Sequence, residues 1–529
     1  MGRLNATNSS TQMNRLAKIR EPIILLFAFA AQLAWLAPMS AQRLVARDEG
    51  FYALAARLVF DGKLPYLDFF YTQTPLLPYV YGAVLAVFGK EWIFARLTSA
   101  VLTALVGTLL FHMVHRQARS LAWAGLALFL FLSNSMILAW YLTVQTYALS
   151  SLLLLLTIYL VQHAEEASSP ALHLVLAGVT LGAACLTRLF FAGLIPCFLL
   201  YFWLNSTYHK RWLPCSLRLM FGIGLGLLPL LALFVADPAA TWFNNMGYHL
   251  ARSQMGFLES LPSKGVILKV LTGLRLSRKF AGVQIPVVFY LGLISTIYCL
   301  YRRQWNLVML CAWCLLVLNF IPTPAYVQYY CTVIPLFLLL SLSAAKPLWE
   351  WFTQHRLRSI KATAYTALIA LVLVYVRSTP GDLRRYTVTG KGVPGIGQSK
   401  DPADFTLSRI RRLSRPIEDY AEGRSVFALW PGHLLESNAL PYPGSENHFA
   451  RLIGDRISPQ ERERYYIMSE ADLIQGVSQA KIPVLVITDR ARRKKLRKAL
   501  ISGNYQRVEK LGSTEIHIQI GSAPTPAQP

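Results

Sequence analysis

The sequence is poor in charged residues, and above all in acids. Only 15% of its 529 residues are Asp, Glu, Lys or Arg, whereas soluble proteins carry about 25%. The 27 acidic residues are outnumbered by 52 basic residues, which gives a net charge of +25. So little charge, together with a mean hydropathy of +0.40, excludes an ordinary soluble protein for the chain as a whole. The composition therefore predicts a polytopic α-helical membrane protein.

Familiar motifs of soluble enzymes are also missing from the C-terminal region. Residues 416–520 contain no Walker loop, no GxGxxG segment and no catalytic Ser/His/Asp pattern, so the nucleotide-binding and hydrolase chemistry of those motifs is not expected there. None of the seven cysteines follows Cys331. This region therefore needs no disulfides, whichever compartment it occupies.

Long apolar segments recur through the first 380 residues. Each is about 20 residues long, enough to cross a hydrocarbon layer of about 30 Å as a helix. We predict about eleven spans, at 22–39, 92–113, 121–139, 144–162, 171–187, 189–204, 215–235, 284–301, 306–322, 328–345 and 362–377. The two segments that flank Arg188 could instead form one broken helix, which would reverse the orientation of everything downstream.

The composition divides the chain into five parts. We expect a cytoplasmic tail (1–21), a transmembrane domain (22–378), a Gly/Pro-rich linker (379–415), a small α/β domain (416–520) and a disordered tail (521–529). Within the transmembrane domain, residues 40–91 and 236–283 are long loops whose amphipathic helices would lie along the outer membrane face. In the α/β domain, "SVFALW", "PVLVITD" and "TEIHIQI" predict strands, and "SEADLIQGVSQA" and "RARRKKLRKALIS" predict helices.

Basic residues set the predicted orientation. With the N-terminus inside, the bias of Lys and Arg toward the inner loops places the α/β domain on the extracytoplasmic side. A bacterial plasma (inner) membrane is favoured, because the sequon at Asn205 would lie in the cytosol. Basic loops that face anionic lipid account for the net charge, so nucleic acid is not an expected partner. Several cations in the two outer loops break the inside bias and require a separate explanation.

Two adjacent acids, Asp48 and Glu49, follow soon after the first span in "ARDEGFYALAARL". On a helix, adjacent residues diverge by about 100°, so these acids do not form a pair that shares a proton. Asp48 and Tyr52, at i and i+4, share a face. An ionised carboxylate at the start of a helix could act as a general base. Equally, Asp48 could merely cap the helix that begins at Glu49.

The region 46–100 resembles the first outer loop of GT-C glycosyltransferases, in the branch of protein O-mannosyltransferases and the lipid A aminoarabinose transferase. The shared elements are the acid pair with Tyr52, a "G-x-x-P-Y-x-D-F" segment at 62–69, the Pro-rich "TQTPLLPY", and Arg96 in the next span. A later segment, "PAYVQYYCTVIPLF" at 324–337, is similar to the aromatic-then-Pro segment of that branch. In architecture, the resemblance covers about the first 380 residues.

The resemblance implies an inverting glycosyltransferase that uses a polyprenyl-phosphate sugar donor on the outer face. It assigns Asp48 as the catalytic base, and Glu49 and Tyr52 as residues that shape the substrate site. In the lipid A branch, a Lys-Pro step in the Pro-rich segment is thought to hold the donor phosphate. This chain has Gln73, Thr74 and Pro75 there. Gln73 is therefore a substrate-binding candidate, and the phosphate must find its cations elsewhere.

The donor phosphate needs cations or oriented donors, because charge develops on it as the sugar leaves. Arg188, between two apolar spans, is the first candidate, although an arginine at a helix end often only snorkels toward the interface. Arg275, Arg278 and Lys279 form a second set, with a solvated basic loop as the alternative. These sets would account for cations that break the inside bias.

Three further substrate-binding candidates are Asp68, Gln145 and Tyr329. Asp68 could position an acceptor or brace its own loop. Gln145 lies at the outer end of the fourth span, where cavity lining and helix packing are both open. Tyr329 could serve as a sugar platform or belong to an aromatic belt.

No metal or other cofactor is expected. Asp48 and Glu49 could ligate Mn²⁺ or Mg²⁺ with a third acid, but the chain has no DxD triplet, and the branch that it resembles works without a metal. The expected partners are the lipid-linked donor, membrane lipids and a lipid, glycan or protein that presents the acceptor hydroxyl. A transporter or flippase of lipid-linked sugars is the competing class, although no repeat typical of transporters is evident. A non-catalytic membrane scaffold is the third class.

Overall fold

A computed structural model describes residues 4–253, 256, 258–276, 282–353, 358–390, 401–488 and 490–520. Most of this part of the chain is helical. The α-helices are α1 Leu4–Gln42, α2 Glu49–Phe60, α3 Leu76–Phe88, α4 Trp92–Ala118, α5 Leu121–Leu132, α6 Ser135–Trp140, α7 Thr146–Ala164, α8 Pro170–Cys185, α9 Ile195–Leu204, α10 Trp212–Ala236, α11 Pro238–Trp242, α12 Tyr248–Arg252, α13 Leu261–Leu271, α14 Gln284–Tyr301, α15 Leu307–Leu318, α16 Ile334–Thr353, α17 Arg358–Val376, α18 Thr379–Arg384, α19 Leu407–Ala421, α20 Pro459–Arg464, α21 Glu470–Ser478 and α22 Arg490–Ser502.

Ten of the eleven predicted spans overlap one main α-helix each, whereas the span predicted at 121–139 is divided between α5 and α6. In the described part of the chain, seven helices are long and apolar enough to cross a membrane. The other predicted spans coincide with apolar helices of 10–17 residues, among them the broken pair that flanks Arg188. A multi-pass membrane protein is therefore supported, whereas the number of eleven spans stays a prediction.

Helices α8 and α10 touch along rows of glycine. Gly178 and Gly182 on α8 face Gly222 and Gly226 on α10, and each pair of glycines is spaced i and i+4. A Cβ atom on Gly222 would lie 2.1 Å from the carbonyl oxygen of Val175, so no larger residue fits there. Small residues at this spacing allow helix backbones to approach closely inside a membrane. This contact fixes the end of α8, just before Arg188.

The C-terminal part contains a five-stranded sheet. Its strands are β1 Ser425–Ala428, β2 Leu440–Pro441, β3 Val484–Ile487, β4 Tyr505–Leu511 and β5 Thr514–Gln519. The order is β2-β1-β3-β5-β4, in which β2, β1 and β3 are parallel, β5 is antiparallel to its neighbour β3, and β4 is antiparallel to β5. Successive residues alternate between faces, as in any strand: Phe427 and Leu485 pack with the residues of α21 and α22, whereas Val426 and Val484 face the larger core. The predicted strands and helices of this region coincide with β1, β3, β5, α21 and α22.

The expected linker at 379–415 differs from the structure. Its described part contains α18, a π-helical turn at Arg385–Thr389 and the first half of α19. The N–H of Leu44 donates to the Tyr386 carbonyl (2.9 Å), and that of Val45 to the Phe405 carbonyl (2.7 Å). The Gly/Pro-rich composition of this region predicted no helices. The described residues of the region contact the segment that follows α1. Residues 391–400 lie outside the described part.

The sheet region sits directly on the first long loop. Parallel strand β1 ends at Ala428, and the loop after it carries Trp430, whose ring stacks on Trp92 with centroids 5.8 Å apart. The Trp430 indole N–H donates to the Arg47 carbonyl (2.8 Å), and the Tyr466 hydroxyl donates to the Leu67 carbonyl (2.7 Å). Loops at the carboxyl ends of parallel strands commonly form binding sites in α/β folds. Here such a loop lies next to the acids of the first long loop.

Candidate active site

A cavity of about 290 Å³ lies where the start of α2, the start of α7 and the segment after α8 meet. Its lining residues come from seven separate parts of the chain: Arg47, Asp48, Phe51, Tyr52, Thr72, Gln73, Gln145, Thr146, Tyr147, Arg188, Tyr248, His249, Arg252, Tyr326, Gln328, Tyr329 and Phe449. Six residues that the sequence singled out are among them: Asp48, Tyr52, Gln73, Gln145, Arg188 and Tyr329. The wall is therefore rich in polar and aromatic side chains, and among the described residues it holds one carboxylate.

Asp48 occupies the N-cap position of α2, but its side chain makes no capping hydrogen bond. The cap interpretation therefore does not describe this carboxylate, which lines the cavity half-buried. Burial raises the pKa of Asp48 to about 6, against the opposing effects of the positive charges of Arg47, Arg252 and Arg188. Tyr52, one helical turn later, lines the same cavity, as the i and i+4 spacing predicts.

Glu49 points away from the cavity. It is 0% exposed, and its carboxylate lies 2.7 Å from Nε of Arg96, which is equally buried. The same carboxylate accepts hydrogen bonds from the backbone N–H groups of Ala46 (2.6 Å) and Val144 (2.8 Å). With its oxygens thus occupied, Glu49 is placed to brace the backbone around Asp48. Its expected contact with substrate does not fit this position.

Arg188 follows α8 and precedes a 3₁₀ helix at Leu189–Leu194. Its guanidinium lies over three aromatic rings, those of Tyr147, Phe190 and Tyr329, at 5.1 to 5.2 Å from their centroids. Within the described part of the chain, its buried Nη1 has no hydrogen-bond partner. These cation–π contacts hold the planar guanidinium group in place. Its Nη1 is left as a hydrogen-bond donor at the cavity wall.

Two more arginines line the cavity, and the sequence did not single them out. Arg47 directly precedes Asp48, and Arg252 ends α12. Both guanidinium groups lie over the ring of Phe449, at 5.4 Å and 6.0 Å from its centroid. The sequence could have indicated Arg47 as a site residue, because it is a cation directly beside Asp48 in an outer loop. The cavity thus opposes one carboxylate with three guanidinium groups.

Gln73, Gln145 and His249 are among the uncharged polar residues of the wall. Gln145 is 3% exposed, and its Nε2 has no hydrogen-bond partner among the described residues, so a buried donor is left for a ligand. Gln73 lines the cavity, and its carbonyl accepts from the Tyr66 hydroxyl. His249 contacts the Thr72 carbonyl (3.1 Å), and burial lowers the pKa of this imidazole to about 4. It is therefore neutral near pH 7.

Two of the remaining predicted residues, Asp68 and Arg275, do not line the cavity. Asp68 is exposed, and it braces its own loop by accepting from the backbone N–H of Leu64 (2.6 Å). Arg275 is exposed after α13 and away from the wall. Arg278 and Lys279 lie outside the described residues. Of the expected cations, Arg188 alone is placed in the cavity by the described part of the structure.

No group of three or more His, Cys, Asp or Glu side chains suited to a metal ion occurs among the residues that the structure describes. Near Asp48, the second acid is engaged by Arg96. Metal independence stays a prediction.

The comparisons with known proteins are consistent with the sequence resemblance. Residues 72–251, about a third of the chain, match the family model described as dolichyl-phosphate-mannose-protein mannosyltransferase. No curated protein matches the sequence.

Two solved structures share the fold at low sequence identity. ArnT from Cupriavidus metallidurans bound to undecaprenyl phosphate is 15% identical, with a TM-score of 0.61 over 94% of this chain and 99% of that one. The oligosaccharyltransferase AglB from Archaeoglobus fulgidus, in complex with an inhibitory peptide and a dolichol-phosphate, is 12% identical, with a TM-score of 0.52 over 94% of this chain and 75% of that one. The resemblance to the GT-C superfamily is confirmed, and the chain has an ArnT-like GT-C fold.

Proposed function

We propose that the chain is an inverting glycosyltransferase, which moves a sugar from a polyprenyl-phosphate donor to a hydroxyl on a lipid, glycan or protein. The reaction would take place on the extracytoplasmic face of the plasma membrane. The observation that carries the proposal is the position of Asp48, which shares one cavity with Arg47, Arg188 and Arg252. The fold likeness to an ArnT bound to undecaprenyl phosphate supports the class of donor.

The chemistry assigns the carboxylate and the cations complementary roles. The acceptor oxygen attacks the anomeric carbon from the side opposite the phosphate, so a new C–O bond forms as the bond to the phosphate oxygen breaks. Asp48 takes the proton of the acceptor hydroxyl. A base with a pKa of about 6 is ionised at pH 7 and is still basic enough to accept that proton.

The leaving polyprenyl phosphate gains negative charge as the bond breaks. Three guanidinium groups in a partly desolvated cavity stabilise that charge more effectively than water would. Arginine suits this role because its planar fork of donors matches phosphate oxygens. Arg188 is the best placed, because its Nη1 is buried with no partner among the described residues while aromatic rings hold the group.

The neutral polar groups would orient the sugar. The unpartnered Nε2 of Gln145 can donate to a sugar hydroxyl, and Tyr52 and Tyr329 offer aromatic surfaces beside it. Leaving a buried donor unpaired costs about 1–3 kcal/mol, so a ligand that pairs with it is favoured over one that does not.

The test separates the base from the cations. A deletion strain is complemented with each variant, and the envelope glycolipids and glycoproteins are analysed by mass spectrometry for the sugar that the deletion removes. Binding of undecaprenyl phosphate to the purified protein is measured in parallel. Asp48→Asn should reduce transfer by about 10²- to 10⁴-fold while retaining lipid phosphate binding, whereas Arg188→Ala should weaken that binding.

Asp68→Asn is the matched control, since it makes the same chemical change in the same loop at an exposed position. It should transfer as the wild type does. Wild-type transfer by Asp48→Asn would refute the assignment of the base, and unchanged binding by Arg188→Ala would refute the phosphate site.

A further inference from the structure

The cavity has one wall that does not come from the transmembrane domain. Phe449 follows β2 in the sheet region, and its ring is part of the lining. The guanidinium groups of Arg47 and Arg252 both lie over this ring, at 5.4 Å and 6.0 Å from its centroid. A single side chain of the C-terminal region therefore contacts two of the three cations.

The same region also holds the backbone of both arginines. The Trp430 indole N–H donates to the carbonyl of Arg47 (2.8 Å). Arg456 donates through Nη1 to the carbonyls of Ala251 (2.9 Å) and Arg252 (3.4 Å). Each cation is thus held at both its main chain and its side chain. These contacts come from two connections of the sheet region, one between β1 and β2 and one between β2 and α20.

Close packing at the start of α2 makes this docking possible. A Cβ atom on Gly50 would lie 2.5 Å from Nε1 of Trp430 and 2.9 Å from the backbone nitrogen of Gly432. Glycine at this position therefore lets the sheet region rest on the first turn of α2, two residues after Asp48. Trp430 is also stacked on Trp92, which begins α4.

We propose that the C-terminal domain is a positioning part of the donor-phosphate site. Through Phe449, Trp430 and Arg456, it sets the direction of the Arg47 and Arg252 guanidinium groups, and the affinity for the lipid phosphate depends on it. This inference rests on the proposed function, in which those cations meet the donor. Phe449 is a positioning residue in this role, because it acts through the two arginines.

The experiment measures binding of undecaprenyl phosphate, KM for the donor and thermal melting of the full-length protein. Phe449→Leu keeps an apolar side chain but removes the ring, and should weaken binding about three- to tenfold without changing the melting temperature. Phe449→Tyr keeps the ring and should bind as the wild type does. Trp430→Phe keeps an aromatic ring but loses the N–H, and should weaken binding in the same direction.

A double-mutant cycle shows whether Phe449 acts through the cations. In an Arg47→Ala/Arg252→Ala background, Phe449→Leu should have no further effect on binding, because the groups that it positions are gone. An equal loss in both backgrounds would overturn the inference, as would wild-type binding by Phe449→Leu. If Phe449→Leu does not fold, wild-type binding by Trp430→Phe overturns it instead.

Arg188→Ala tests the phosphate site separately from its dependence on the C-terminal domain, because Arg188 has no contact with Phe449 in the described structure. Weak binding by Arg188→Ala together with wild-type binding by Phe449→Leu and Trp430→Phe leaves the proposed function standing and removes this inference. Wild-type binding by all three removes the phosphate site itself.

Discussion

The buried pair of Glu49 and Arg96 gives the most direct test of how the loop around Asp48 is held. Both side chains are 0% exposed, and the carboxylate lies 2.7 Å from the guanidinium. Glu49→Gln preserves the shape of the side chain but leaves Arg96 as an uncompensated charge in the interior. Breaking one side of a buried ion pair costs about 3–5 kcal/mol, so a loss of that size is expected in the free energy of unfolding.

The substitution should also disturb the backbone that positions Asp48 and Gln145 in the candidate site. Glu49 ties the N–H of Ala46, two residues before Asp48, to the N–H of Val144, which precedes Gln145. The two N–H groups donate to different oxygens of the carboxylate. An amide has only one oxygen, so it can accept from one of them and turns an NH₂ group toward the other. We therefore expect the rate of transfer to fall even in the fraction of the variant that remains folded.

The assay is equilibrium unfolding in mixed detergent, with Glu166→Gln as the matched control. That substitution breaks the exposed pair with Arg116, and surface pairs contribute about 0–1 kcal/mol. Adding Arg96→Met to Glu49→Gln removes the unpaired charge and should restore at least half of the lost stability. Equal stability losses in Glu49→Gln and Glu166→Gln, or no recovery in the double variant, would refute the reasoning.

Three further predictions follow from the same structure. The pKa of Asp48, about 6, predicts that the rate of transfer falls about tenfold per pH unit below pH 6 and levels off above it, because only the ionised carboxylate accepts a proton; a flat profile of kcat/KM between pH 4.5 and 7 would contradict the assignment. Transfer should persist in EDTA, and activity that EDTA abolishes and Mn²⁺ restores would overturn metal independence. Gly222→Leu should reduce the yield of monodisperse protein in size-exclusion chromatography, because its Cβ would lie 2.1 Å from the Val175 carbonyl oxygen. Gly224→Leu is its control, with nothing within 4 Å of its Cβ, and equal yields of the two variants would argue against the tight contact of α8 with α10.

Local spacing predicted much of what happens near Asp48. The i and i+4 relation places Tyr52 beside it, and the 100° step turns Glu49 away, as the structure has it. Spacing could not supply the partners of Glu49, because Arg96 and Val144 are about 50 and 95 residues distant. Such contacts depend on how whole helices pack, which no local pattern encodes.

The cations were harder to identify than the acid. Arg188 was singled out because an arginine between two apolar segments is unusual. Arg275 was a candidate because it is a cation in the second long outer loop, but its side chain is exposed. Arg252 ends a five-residue helix and carries no distinctive pattern. Phe449 lies in a region whose composition looks like an ordinary α/β domain, so its part in the cavity follows only from the docking of that domain.

The separation of Arg47 and Phe449 along the chain also bears on how the protein is made. About 400 residues lie between them, so a ribosome finishes the transmembrane helices long before it reaches the ring that supports two of the cations. Under the proposed function, a chain that ends before Phe449 holds Asp48 and Arg188 but lacks the side chain that directs the guanidinium groups of Arg47 and Arg252, so it should bind the lipid phosphate more weakly than the full chain. Full affinity for the lipid phosphate would then arise only after the C-terminal region has been translated and has docked on the first turn of α2.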